Sequence, residues 1–167
     1  PAGPAPPPPW AVWGWKTRPR SATSAAPDAA VQFNPMVNPP WYSLLWTNGS
    51  WDLAFELITT KSGVTTKWEQ LPDLSTNGVD VAASDNPMMR PPNLLASDFR
   101  CSATGPLTNI TIWGSWFQDM FPGDPGNVRF TLSIHSDIPD PDGTGPAYSM
   151  PGEPLWWQDF YPGQFTW

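Results

Sequence analysis

The sequence predicts an all-β fold, sandwich-like or jelly-roll-like, carrying an extended Pro-rich N-terminal arm. Three observations carry that prediction. Residues 127–135 (Asn-Val-Arg-Phe-Thr-Leu-Ser-Ile-His) alternate strictly, with Val128, Phe130, Leu132 and Ile134 on one face and Arg129, Thr131, Ser133 and His135 on the other. A period of two marks a half-buried strand. No window sustains a helical period, and 24 Pro with 13 Gly interrupt the chain too often for long helices. Twelve Trp and eight Phe nevertheless argue for an ordered chain, because disordered segments are poor in aromatics.

The elements follow in order. Pro1–Pro9 (PAGPAPPPP) has the composition of an extended polyproline II segment and reads as a stiff arm or linker. Trp10–Lys16 is short and β-prone, with Trp13 and Trp15 on one face. Residues 17–28 are loop, Val31–Phe33 is a short strand, and three prolines break residues 34–40. Trp41–Trp46 and Trp51–Thr60 flank Thr47-Asn48-Gly49-Ser50 and are expected to form a hairpin about the Asn48-Gly49 turn. In the second of these, Leu53, Phe55 and Leu57 share a face. Residues 61–66 form a polar connector. Trp68–Ala96 reads as extended and irregular, with Pro72, Pro87, Pro91 and Pro92 excluding helix and Met88-Met89 as buried filler. Leu94–Ser102 is a candidate strand with Phe99 and Cys101 on one face. The apolar run 108–117 and the alternating run 127–135 are expected to pair as a hairpin across a turn-rich connection. Residues 137–149 form an acidic Pro/Gly loop, Leu155–Tyr161 is a last aromatic strand, and Gly163–Trp167 still reads as strand.

Length and charge bound the function. At 167 residues the chain is long enough to bury a core of its own. A net charge of −7 lacks the basic face that a general nucleic-acid binder needs. No stretch approaches the ~18 apolar residues of a membrane span. Cys101 is the single cysteine, so no disulfide forms within the chain; it is expected to be buried as a small hydrophobe, the other fate being a bond to another chain. The chain starts at Pro1 and has no apolar signal segment, as expected if a leader has been removed or if this is a piece of a longer protein.

The catalytic inventory is thin. His135 is the only histidine, and Ser133 and Ser136 flank it without a nucleophile motif. With one His and one Cys, zinc or copper would need a carboxylate-dominated site, which those metals seldom use. No catalytic residue and no cofactor is therefore assigned, and the protein is read as non-enzymatic. Asp137, Asp140 and Asp142 gather in one loop before Gly143, which makes calcium the ion to consider. Their spacing departs from the calcium-loop pattern, and a solvated acidic loop is the plainer reading.

Tryptophan is the richest signal. Aromatics dominate cores and interfaces, and they also stack on sugar rings. Trp10, Trp13, Trp15, Trp156, Trp157 and Trp167 are the candidates for assembly contacts or sugar stacking; only a flat exposed row would suit a polysaccharide. Two glycosylation sequons occur, at Asn48-Gly49-Ser50 and Asn109-Ile110-Thr111.

From Lys67 on, five stretches carry a resemblance: KWEQLPDLSTNGVDVAAS (67–84), LLASDFRC (94–101), GPLTNITIWGSW (105–116), VRFTLSIHSDIPD (128–140) and YSMPGEPLWWQDFYPGQFT (148–166). Together they resemble an uncharacterised extracellular β-sandwich domain of planctomycete-type secreted bacterial proteins, and there they form the first half of the domain. WGWKT (13–17) and SWDLAFELITT (50–60) resemble its closing strands. Here the closing strands precede the opening ones. The resemblance thus divides the chain into the arm 1–9, a closing-strand segment 10–62, a connector 63–66 and an opening-strand segment 67–167. Either two partial repeats meet in this chain, or one permuted domain folds its closing strands back onto the sheet. The resemblance implies no activity, cofactor or catalytic residue.

An unfinished sheet exposes an edge that invites strand addition from a neighbour. The expected function is a structural subunit of an extracellular fibre or surface assembly, joined head to tail with copies of itself by strand complementation and arm docking. The alternative is a carbohydrate-binding module using exposed Trp residues.

Overall fold

The computed structural model describes residues 13–19, 30–33, 42–43, 45–46, 49–60, 63–75, 78–83, 93–116, 120, 123–138 and 150–167. The arm 1–9, Trp10 and Met88-Met89 lie outside them. Among the described residues the fold is all-β, apart from a single 3-10 turn at Pro125–Asn127. The strands are β1 Trp13–Pro19, β2 Ala30–Phe33, β3 Tyr42–Ser43, β4 Leu45–Trp46, β5 Gly49–Leu53, β6 Phe55–Thr59, β7 Thr65–Gln70, β8 Asp80–Ala82, β9 Asn93–Ala96, β10 Asn109–Ile112, β11 Gly114–Trp116, β12 Phe130–Ile138 and β13 Met150–Phe160. No helix among these residues is long and apolar enough to cross a membrane.

The architecture turns on a three-way junction. β10 and β6 pair antiparallel from Asn109↔Ile58 to Ile112↔Phe55, and then the two chains splay. Beyond the splay, β11 pairs with β1 at Trp13–Trp15 and β5 pairs with β1 at Thr17–Pro19. Three backbone hydrogen bonds close the fork in a cycle: Lys16 N–H donates to Trp113 C=O (2.9 Å), Trp113 N–H to Ala54 C=O (3.4 Å), and Ala54 N–H to Lys16 C=O (2.9 Å). Each residue lends one donor and one acceptor, so the peptide groups at the fork are paired although no regular ladder continues through it. The opposite edge of β1 takes β8, with Lys16 facing Asp80. The Lys16 ammonium lies 3.2 Å from the Asp80 carboxylate, which also accepts from the Ser115 hydroxyl.

The layers are sandwich-like. Phe55 and Leu57 on β6 and Ile110 and Ile112 on β10 share one face. They meet Leu132 and Ile134 of β12 across a cleft of about 210 Å³, closed at one end by residues 94–99. Edge-to-face aromatic contacts bridge that end, Trp15 to Phe55 (6.4 Å) and Phe55 to Phe99 (6.2 Å). β12 and β13 form a two-stranded ribbon with register shifts around His135. Pro151 and Pro154 fall at these irregularities, where proline's missing donor is tolerated. β9 pairs with β2, which pairs in turn with β3.

Several expectations need correction. Runs 108–117 and 127–135 do not form a hairpin: the first joins β6 and β1, the second joins β13. Alternation specifies a face and not a partner, and the intervening chain turns away at Gly123 (φ +89°) and at the 3-10 turn capped by Asp124. The β4–β5 hairpin forms, with Leu45 opposite Ser50 and Trp46 opposite Gly49; Thr47 and Asn48 lie outside the described residues. Trp51–Thr60 is broken at Ala54, the fork. Trp68–Ala96 is not irregular throughout, since it contains the end of β7 and all of β8 and β9. The strand expected over 94–102 stops at Ala96, because Ser102 is drawn aside by bonds from its N–H (3.2 Å) and hydroxyl (2.8 Å) to Lys67 C=O. Cys101 is exposed rather than buried, in that same diverted segment. Gly163–Trp167 forms no strand: Gly163 takes φ +84° and Gln164 N–H donates to Tyr161 C=O (3.0 Å) in a turn.

Candidate assembly site

The buried apolar residues among those described are Leu53 and Ala54 (0% exposed), Phe55 (6%) and Leu57 (3%). All four lie on one stretch of five residues. In the sequence Leu53, Phe55 and Leu57 alternate, and Ala54 sits between them at the fork. Leu53 packs against Trp15, Val81 and Leu95 from three other strands. The backbone of the stretch is tied by side chains as well as ladders. The Trp15 indole donates to Ala54 C=O (2.7 Å) and the Gln70 amide to Leu53 C=O (3.2 Å). The Trp68 indole in turn donates to the Gln70 carbonyl oxygen. β5 lies between β1 and β4, and β6 between β10 and β7, so these strands form a groove around the stretch.

One wall of the groove carries a buried cation. In the β6–β7 ladder Leu57 faces Trp68 and Ile58 faces Thr66, which leaves Lys67 as the extra residue of a bulge. A bulge re-aims a side chain, and here it turns the Lys67 ammonium inward, at 3% exposure. The ammonium donates to Ala103 C=O (2.9 Å) and Gly105 C=O (2.5 Å). Gly105, at φ +110°, supplies the turn that brings its carbonyl there. Lys67 thus clips the 102–105 loop to β7.

The outer face of the β12–β13 ribbon is a second candidate surface. Trp157, Asp159 and Tyr161 alternate along β13 and its continuation, with Trp157 opposite Ser133 and Asp159 opposite Thr131. Arg129 pairs with the Asp159 carboxylate (3.0 Å) and lies over the Tyr161 ring, 5.6 Å from its centre. The Thr131 hydroxyl donates to the same carboxylate (2.6 Å). That hydroxyl, and then the Arg129 guanidinium, hold the Asp159 carboxyl below its ordinary value. Beside them His135 bonds Gly152 C=O (2.8 Å) and the Ser133 hydroxyl (3.0 Å).

The structure scatters the candidates named from sequence. Trp15 is half-buried at the fork, and the backbone of Trp13 pairs with Trp116. Trp156 (37% exposed) leans on Phe160, Trp157 is 65% exposed on the ribbon's outer face, and Trp167 is 80% exposed over Gly126. Asn109 is exposed at the start of β10, with its side-chain amide 3.4 Å from the Thr111 hydroxyl of the same sequon. Asp137 is exposed near the end of β12. Asn48, Asp140 and Asp142 lie outside the described residues. Lys67, Gln70, Asp159 and Tyr161 were not singled out in the sequence. A Lys in a Thr/Glu/Gln-rich strand carries no mark of burial, but the spacing of Trp157, Asp159 and Tyr161 was visible as a period of two.

Residues 66–167 match the model of the DUF7901 family, described as a domain of unknown function. The chain belongs to the DUF7901 family. No curated protein and no solved structure matches it. The matched region begins within β7, so β1 to β6 lie outside it. Leu53, Ala54, Phe55 and Leu57 therefore come from outside the DUF7901 match, while the fully buried residues described inside it are the polar Lys67 and Gln70.

Proposed function

We propose that this DUF7901 protein is a non-enzymatic structural subunit of an extracellular fibre or surface assembly, whose copies join head to tail by strand complementation. One observation carries the reading: the buried apolar side chains among the described residues, Leu53, Ala54, Phe55 and Leu57, all lie outside the matched residues and pack on the strands within them. A groove that takes an inserted strand accepts it equally from its own chain or from a neighbour, because main-chain bonds supply the affinity and alternate side chains the register. In the chain described, β5–β6 fills its own groove. Exchange between copies repeats the same contacts in trans, and a head-to-tail exchange does not close on itself, so it grows a filament. The Pro-rich arm 1–9 adds a second tether. The extracellular setting rests on the resemblance to secreted proteins.

The test uses the fact that Glu56 on β6 faces Thr111 on β10. One chain carries Glu56→Cys and another Thr111→Cys, both in a Cys101→Ser background. The two are co-refolded at high concentration and oxidised. A covalent dimer of the two species, together with filaments in electron micrographs, is the expected result. Monomers without cross-link at all concentrations overturn the proposal.

A further inference from the structure

We propose that the outer face of the β12–β13 ribbon binds a neutral polysaccharide. This goes beyond assembly and uses a different surface.

On this face Trp157 is 65% and Tyr161 50% exposed. They sit four positions apart on one extended segment, so their Cα atoms lie about 13 Å from each other at ~3.3 Å per residue. Two rings at that separation can stack on different sugar units of one chain, and an aromatic ring presents a flat apolar surface suited to the C–H face of a pyranose. Between them lies a row of hydrogen-bonding groups held in place before any ligand arrives. Asp159 accepts from both Arg129 and Thr131 through Oδ1, which leaves Oδ2 for a sugar hydroxyl. The Ser133 hydroxyl, fixed by His135, lies opposite Trp157. Arg129 is held by its ion pair and its stack on Tyr161. Rigid rings flanking oriented donors and acceptors keep the ordering cost of binding low.

Charge selects the class of polymer. Arg129 is matched by Asp159 on the same face, and the whole chain carries −7. A face without net charge on an acidic protein repels an acidic polymer and accepts a neutral one. Leu132 and Ile134, which alternate with Thr131 and Ser133, line the cleft against β6 and β10, whose edge also reaches Thr131, Ser133 and His135.

Affinity electrophoresis of the full chain tests this, in gels containing a mixed-linkage β-glucan, a galactomannan or a xylan, with alginate as the acidic comparison. Retardation is expected in at least one neutral gel and not in alginate. Trp157→Ala and Tyr161→Ala should each weaken it at least tenfold, and Asp159→Asn, which preserves shape, at least threefold. Leu74→Ser, at an exposed site elsewhere, should leave it unchanged. Thermal unfolding of each variant separates loss of binding from loss of fold. Absence of retardation in all three neutral gels, equal retardation in alginate, or retardation insensitive to Asp159→Asn and both aromatic variants overturns the proposal. So does a change from assembled to monomeric protein in Trp157→Ala, which would make the face a contact between copies. Strand exchange is read separately, by the β6–β10 cross-link.

Discussion

The indole nitrogen of Trp15 donates to the backbone carbonyl of Ala54 at 2.7 Å, and that carbonyl also accepts from Trp113 N–H. A side chain on β1 thus reinforces the backbone cycle that joins three strands. Trp15→Phe keeps a ring against Phe55 but removes the donor. A net loss of about 1 kcal/mol is expected, the usual worth of one such bond. Urea unfolding followed by circular dichroism measures it, and an unchanged midpoint would make the bond incidental.

Leu53 is the largest fully buried side chain described, at 0% exposure against Trp15, Val81 and Leu95. Leu53→Ala should cost about 2–5 kcal/mol, the range for truncation of a buried leucine. The same substitution should also weaken docking of the 53–57 stretch in trans, read as a lower yield of the mixed cross-linked dimer.

Lys67 is buried and donates to two carbonyls. Lys67→Met keeps much of the stem and leaves the Ala103 and Gly105 carbonyls without their donor, with an expected loss of ~1–3 kcal/mol. Hydrogen exchange should show the 102–105 loop opening before the β6–β10 ladder. Uniform loss of protection would mean that the clip does not act locally.

The Thr59 hydroxyl is buried without a hydrogen-bond partner among the described residues. Removing an unsatisfied polar group from such a site is favourable when shape is kept. Thr59→Val should leave stability unchanged or raise it by up to about 1 kcal/mol, as read by the thermal midpoint. A clear loss would reveal a partner for the hydroxyl.

The Asp159 carboxyl is held low by the Thr131 hydroxyl and by Arg129. A carboxyl lowered in the folded state stabilises fully above its unfolded value, about 3.9, and loses that contribution as pH falls through the folded value. The stability difference between the native chain and Asp159→Asn should therefore be constant above pH ~5 and shrink toward acid below ~4. A difference independent of pH across that range would show that Asp159 acts through shape alone.

Much of the strand content was legible, because alternation reports burial directly. Trp13–Lys16, Val31–Phe33 and Phe130–Ile134 fall in strands, as do Leu53, Phe55 and Leu57 on either side of the break at Ala54. Pairing was not legible. Ile110 and Ile112 carry the same alternation whether they meet Leu132 and Ile134 in one sheet or Leu57 and Phe55, as they do. Nor was the bulge at Lys67, since one inserted residue reverses which face a side chain takes without altering local composition. At the ribbon, sequence marked Trp157 but not the Asp159–Arg129 pair beside it, which depends on the β12–β13 register. Within the chain, β1 pairs with β11 and β6 with β10, so strands from before residue 63 join strands from after residue 66.

The fork at Lys16, Ala54 and Trp113 also sets an order of events during synthesis. β1 leaves the ribosome before any of its partners, and its last partner, β11, emerges only at Gly114–Trp116. Contacts so distant in sequence form slowly. Under the proposed strand exchange, a nascent chain still waiting for its own β10 and β11 can lend β5–β6 to a neighbour whose groove is equally unfilled. Local concentration of nascent chains would then weigh on whether a copy closes on itself or on the next.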